Sequence, residues 1–259
     1  KKPTGITFIL TAANIPCKNY DSIKDALVSI DHVVVAYYIS LLSPPIKNNR
    51  TKARDVSRMI EELKEEFNLD KYNIIGHSIG GKIALLVAAL HNDDKSLRAI
   101  MALDPVDQNP VEFTNPDTTK NLSLKNTGID ILMTFTDNGF FISKDHNARA
   151  INRFNPELKV VLHRNAGHMA YCDKDTGVSW KAVMRGGNKE RNSIVKEETL
   201  EIVKKRMQTC LKKKASSKVG RIADKYKEAV TSNIDDIQND VKKVTSGGKF
   251  GLAKKMLNL

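Results

Sequence analysis

Ser78 stands in the run Gly76-His77-Ser78-Ile79-Gly80-Gly81, behind the β-branched pair Ile74 and Ile75 and ahead of the apolar stretch Lys82 to His91. A strand, a glycine-pinned turn and a helix in that order raise a serine hydroxyl above the edge of a sheet, where it can act as a nucleophile. The turn holds the serine in a strained backbone conformation. Only small residues fit at Gly76 and Gly80, and Gly81 lets the following helix pack close to the sheet. The pentapeptide is short enough to arise by chance, so its setting between a strand pattern and a helix pattern carries the inference. To attack an ester, such a serine needs a base to take its proton, an acid to orient that base, and donors for the developing oxyanion.

Each of these has a candidate. Leu158 to His163 has a strand pattern and runs into Arg164-Asn165-Ala166-Gly167-His168, which places His168 on a glycine-marked loop just past a strand end. Two other strand patterns end in an acid: Ala99 to Leu103 runs into Asp104, and Ile129 to Phe135 runs through Thr136 into Asp137. Either carboxylate could orient His168. A hydrogen bond from the Ser78 hydroxyl to a His168 nitrogen is expected. The chain order Ser, Asp, His is that of the α/β-hydrolase fold. In that arrangement the oxyanion is met by the backbone N–H of Ile79 and by an amide of the loop after the first strand, here Thr11-Ala12-Ala13-Asn14, with Ala12 and Ala13 as candidates. Many hydrolases read His-Gly at this loop. An imperfect oxyanion hole would cost about 3 kcal/mol of transition-state stabilisation.

The elements that must position these groups follow the same plan. Strand patterns at 6–10, 32–37, 72–75, 98–103, 129–135 and 158–163 alternate with helix patterns near 20–30, 53–67, 79–91, 145–154 and 194–213. Alternation with near-continuous apolar strands implies an α/β fold with a mostly parallel sheet covered by helices on both faces. A chain of 259 residues, 41% hydrophobic, can bury one large core. The expected division is a hydrolase domain over 1–213 and a basic, amphipathic helical extension over 214–259. Only a Pro- and Asn-rich loop separates Leu103 from Ile129, so no large helical lid is expected and the site should be open.

The elbow, the element Leu103-Asp104-Pro105-Val106-Asp107, and Ala166-Gly167-His168 ahead of Asp173 and Asp175 together resemble the chlorophyllase group of α/β hydrolases. That group carries a Gly-His-Ser-x-Gly-Gly elbow and an Asp-Pro-Val motif at the end of the next strand. The resemblance covers roughly residues 5–175. It implies a serine esterase in which Ser78, Asp104 and His168 match the triad, acting on a hydrophobic ester of a long-chain alcohol, with no cofactor or metal, in a plastid. Thr11-Ala12 stands where the group has His-Gly, and the C-terminal third is unmatched.

Cys17, Cys172 and Cys210 have neither paired nor metal-ligand spacing, which points to a reducing, intracellular compartment. Cys172 lies near His168 but occupies no elbow, so it reads as a loop cysteine. His77 reads as the variable elbow position, packing beside the serine, and His163 as a structural strand end. The net charge is +12. Roughly two thirds of this excess lies beyond Val195, around Lys204-Lys205-Arg206 and Lys212-Lys213-Lys214. No aromatic platform or groove-reading motif interleaves these lysines, which argues against nucleic acid. From Ile222 to Val244 apolar residues recur every three or four positions, giving one helical stripe that must be covered. Residues 196–259 are therefore expected to meet either the domain's own core, a protein complex or an anionic membrane surface. This extension supplies the competing expectation: a hydrolase fold, catalytically weak or inactive, kept as a structural or accessory subunit of a larger assembly, whether membrane-bound or not.

Overall fold

A computed structural model describes residues 3–40, 48–69, 71–91, 95–106, 124, 128–137, 151–153, 155–173 and 189–208. Six strands form one sheet: β1 (Gly5–Leu10), β2 (His32–Tyr37), β3 (Tyr72–His77), β4 (Leu97–Leu103), β5 (Asp130–Thr136) and β6 (Lys159–His163). Their order is β2-β1-β3-β4-β5-β6, and every neighbouring pair is parallel. The central strands β1 and β3 are buried along their whole length, which is why both are rich in apolar residues on both faces.

Parallel strands need crossovers, and those from β1 to β2, from β2 to β3 and from β3 to β4 each carry a helix. The helices are α1 (Asp21–Val28), α2 (Asn49–Phe67), α3 (Ile79–Leu90) and α4 (Lys189–Met207). Alternate residues of the strands face opposite layers. Ile9, Ile75, Met101 and Leu132 meet Ile23 and Leu27 of α1 and Val195, Val203 and Met207 of α4. On the other face α3 packs on β3 and β4, and α2 packs on α3. Because Val203 and Met207 are fully buried, the basic helix through residue 207 belongs to the domain core. Part of its charge is already paired, Lys204 with Glu201 and Arg206 with Asp130.

Two helices begin earlier than apolar periodicity suggests. The Asn48 side chain accepts the Thr51 N–H at 2.8 Å and starts α2 at Asn49, and the polar first turn of α4 starts at Lys189. Most of the expected helix near 145–154, most of the loop between β4 and β5, and the whole apolar stripe with its extension over 214–259 lie outside the described residues. Among the described residues no helix is long and apolar enough to cross a membrane.

All strands run the same way, so their carboxyl ends form a single edge. The strand order reverses between β1 and β3, since the chain goes from β1 to β2 on one side and returns to β3 on the other. The crevice outside such a switch point is where sheets of this kind bind ligands.

The core also holds histidines. His32 opens β2, is 5% exposed, and has Nδ1 2.8 Å from the Thr7 hydroxyl. Burial pushes its pKa down to about 4 from 6.5, and burial lowers His77 and His163 in the same direction. The unfolded chain takes up the proton near pH 6.5 and the folded chain only near pH 4, so this stability is complete above pH 6.5 and is lost as the pH falls. For His32 the loss should reach about 3 kcal/mol by pH 4. In urea titrations across pH 4–7.5, a His32→Gln variant should show a correspondingly flatter profile; parallel profiles would contradict this.

Candidate active site

Ser78 links β3 to α3 with φ 58° and ψ −121°, a left-handed conformation costly for any residue with a side chain. Both backbone groups of the serine are fastened to the next strand. Its N–H donates to the Leu103 carbonyl at 2.9 Å, and its own carbonyl accepts from Val106 N–H at 3.2 Å. The flanking glycines show what permits the turn. A Cβ on Gly76 would lie 2.3 Å from the Gly80 carbonyl oxygen, and one on Gly80 would lie 2.3 Å from the Leu10 carbonyl oxygen. A Cβ on Gly81 would meet Pro105 at 3.0 Å, so this glycine sits against the proline of the Asp-Pro-Val element.

Asp104 follows β4 at φ 42°. Its Oδ2 accepts from His168 Nδ1 at 2.7 Å and from the Thr136 hydroxyl at 2.7 Å, while Thr136 N–H reaches Oδ1 at 3.3 Å. Asp104 and His168 are both buried. His168 opens a 3₁₀ turn, His168–Tyr171, after β6. Asp137, the alternative acid, sits elsewhere. Its carboxylate accepts Asn165 N–H at 2.7 Å on an exposed turn where Asn165 has φ 57°, so it braces the base loop from outside. Asn192 on α4 does the same from the other side, its side-chain oxygen accepting Gly167 N–H at 2.8 Å.

With Nδ1–H given to Asp104, the His168 ring presents a bare Nε2. That atom is buried and has no hydrogen-bond partner among the described residues. The expected Ser78–His168 hydrogen bond is therefore not formed. Such bonds are often long before substrate arrives. A buried acceptor without a partner is uncommon and marks a position where a proton can be received. Ser78 is 6% exposed and His168 0%, His168 being enclosed by Asp104, His77 and the turn that bears it; the loop on which the expectation of an open site rests lies almost wholly outside the described residues.

Ala12 does not supply the oxyanion donor. Its N–H donates to the Tyr20 hydroxyl at 2.9 Å. Thr11 N–H goes to Tyr37, Asn14 N–H to Ile39 and Ile15 N–H to Ala12, all to carbonyls. That leaves Ala13, half-buried at the loop's turn, as the amide available beside that of Ile79. Ile79 is the first residue of α3, where a helix leaves its N–H groups unpaired. The tight approach of Gly80 to the Leu10 and Thr11 carbonyls sets this loop against the elbow.

His77 is more than the filler beside the serine that sequence reading makes it. Its Nδ1 is 2.8 Å from the Tyr20 hydroxyl and its Nε2 is 2.9 Å from the His168 carbonyl oxygen. Burial, with the neighbouring His168, holds its pKa well below the usual histidine range. Cys172 places its Sγ 3.7 Å from His77 Nδ1, and Cys17 is pushed up to about 11 by burial; neither thiol is in a disulfide. His163 is buried with Nδ1 3.4 Å from Glu198. Among the described residues no three His, Cys, Asp or Glu side chains converge as a metal site.

The family model described as alpha/beta hydrolase fold matches residues 42–123. No curated protein sequence matches the chain. Solved structures do. Est1E from Butyrivibrio proteoclasticus is 11% identical with a TM-score of 0.55, the alignment covering 80% of this chain and 90% of that one. A putative alpha/beta hydrolase from Agrobacterium tumefaciens is 8% identical with a TM-score of 0.57, covering 83% and 91%. A putative aryl esterase from Burkholderia cenocepacia is 10% identical with a TM-score of 0.51, covering 78% and 91%. At such identities the likeness is one of fold. Together with the parallel six-stranded sheet and the serine turn at its switch point, it establishes that this chain has the α/β-hydrolase fold.

Proposed function

We propose that the protein is a serine esterase that cleaves a carboxylic ester through an acyl-enzyme. The observation that carries this reading is the buried Asp104–His168 pair at 2.7 Å with Nε2 left bare, on the same sheet edge as a serine held at φ 58°. In the reaction the Ser78 Oγ bonds to the ester carbonyl carbon as its proton passes to His168 Nε2, and the carbonyl electrons become an oxyanion facing the amides of Ile79 and Ala13. Asp104 stabilises the resulting imidazolium. Collapse of the oxyanion breaks the bond to the alcohol, which leaves with the proton from His168, and water then repeats the sequence to release the acid.

The solved neighbour whose title names a putative aryl esterase supports this class of substrate. The finer reading is a hydrophobic ester of a long-chain alcohol, as in chlorophyllases, and it rests on the Asp104-Pro105-Val106 element beside the elbow. Turnover of p-nitrophenyl esters of rising acyl length tests the class: the native chain should hydrolyse at least one, and Ser78→Ala should lower kcat by about 10⁴-fold or more with the fold intact. Equal residual activity in both proteins would sink the proposal.

A second reading draws on the Ala12 amide being tied to Tyr20 and on the missing Ser78–His168 bond. It makes the chain a hydrolase fold kept without turnover in a larger assembly, docked through residues beyond α4 onto a protein or an anionic membrane surface. A native chain that binds but does not hydrolyse any ester would favour it.

A further inference from the structure

A buried hydroxyl and a buried imidazole are costly to place in a core unless their hydrogen bonds are made. Tyr20 and His77 are each 1% exposed and lie between the two loops that flank Ser78. Their bonds have one consistent direction. The His168 carbonyl can only accept, so His77 Nε2 carries the hydrogen. In the neutral ring Nδ1 is then bare and accepts the Tyr20 O–H. The Tyr20 oxygen is left to accept the Ala12 N–H.

The resulting chain runs from the amide next to Ala13, through Tyr20 and His77, to the backbone of His168 itself. Ring contacts reinforce it: the His77 ring is 4.8 Å from His168 in a tilted pair, and 5.8 Å from Tyr20 and 5.5 Å from Tyr171 edge-to-face. An independent tie joins the same two regions. Asp173, just past the base turn, donates its N–H to the Asn19 carbonyl at 2.8 Å and accepts Ser22 N–H at 2.7 Å.

We infer that Tyr20 and His77 are positioning residues that hold the Ala12–Ala13 loop and the His168 turn in one register around Ser78, an inference that rests on the hydrolase reading of that serine. Tyr20 stops Ala12 from competing as a donor and so leaves the adjacent amide to meet the oxyanion. His77 fixes the carbonyl end of the base. A tyrosine or histidine serving only as core filler would be replaceable by phenylalanine without kinetic effect.

The test uses the full chain and p-nitrophenyl butyrate, with folding checked by circular dichroism. Tyr20→Phe and His77→Phe should each lower kcat by about 10- to 100-fold with KM within about threefold, the signature of an interaction realised in the transition state. His77→Asn, whose amide oxygen can stand in for Nδ1, should recover about tenfold of what His77→Phe loses. A folded Tyr20→Phe with kcat within twofold of the native chain overturns the inference. Where Tyr20→Phe fails to fold, His77→Asn no more active than His77→Phe overturns it. A native chain without turnover overturns the hydrolase reading and this inference together, whereas native turnover with unaffected variants overturns this inference alone.

Discussion

Asn in place of Asp104 is expected to lower kcat by about 10³- to 10⁴-fold while leaving the protein folded. The amide is nearly the same size as the carboxylate, and the Thr136 N–H, now 3.3 Å from Oδ1, holds its oxygen on that side, so that the NH₂ takes the place of Oδ2, the atom that meets both the Thr136 hydroxyl and His168. That NH₂ then faces His168 Nδ1. The ring must accept there and move its own hydrogen to Nε2, the nitrogen that has to take the serine proton. Asp137→Asn is the comparison. Among the described residues that carboxylate meets the exposed Asn165 amide in the base loop, so its loss should change kcat by less than about fivefold. Equal losses for the two variants, or a fully active Asp104→Asn, would show that Asp104 does not orient the base.

Gly80→Ala should be among the most destabilising single substitutions in the chain. The added Cβ would lie 2.3 Å from the Leu10 carbonyl oxygen and 2.6 Å from that of Thr11, both backbone atoms at the end of a central strand. Neither can yield without moving β1 or the start of α3, so a loss of about 4 kcal/mol or more is expected, enough to unfold much of the population. Gly128→Ala separates steric from conformational cost. At φ 69° a Cβ there meets nothing within 4 Å, and only the positive φ is penalised, at about 1 kcal/mol. Chemical denaturation of both variants checks the contrast; a Gly80→Ala protein as stable as the native chain would contradict the close approach.

The six strands and the elbow were legible because they rest on local patterns. Buried parallel strands such as Leu97–Leu103 and Asp130–Thr136 carry long apolar runs, and a serine turn needs glycines at fixed offsets. The acid was not decided by the residues alone, since Asp104 and Asp137 both end strands that neighbour each other in the sheet. What separates them is backbone and a partner: Asp104 turns inward at φ 42° and meets Thr136, a residue with no motif of its own. The loop after β1 was legible as the candidate oxyanion loop, but which of its amides is tied up depends on Tyr20, eight residues on and belonging to a different element. His77 was undervalued for the same reason. Tyr20 and His168, which it bonds, lie 57 and 91 residues away, and nothing in a local pattern joins them. Asn192, bracing Gly167 from α4, is equally invisible before the chain is folded.

Activation of Ser78 is tested most directly by incubating the full chain with a fluorophosphonate and locating the adduct by mass spectrometry. The arrangement predicts a single covalent adduct on Ser78. It should form in the native protein, slow by about 10³-fold or more in Asp104→Asn, and vanish in Ser78→Ala. A native, folded protein that takes up no label, or carries it on a residue other than Ser78, would contradict the account.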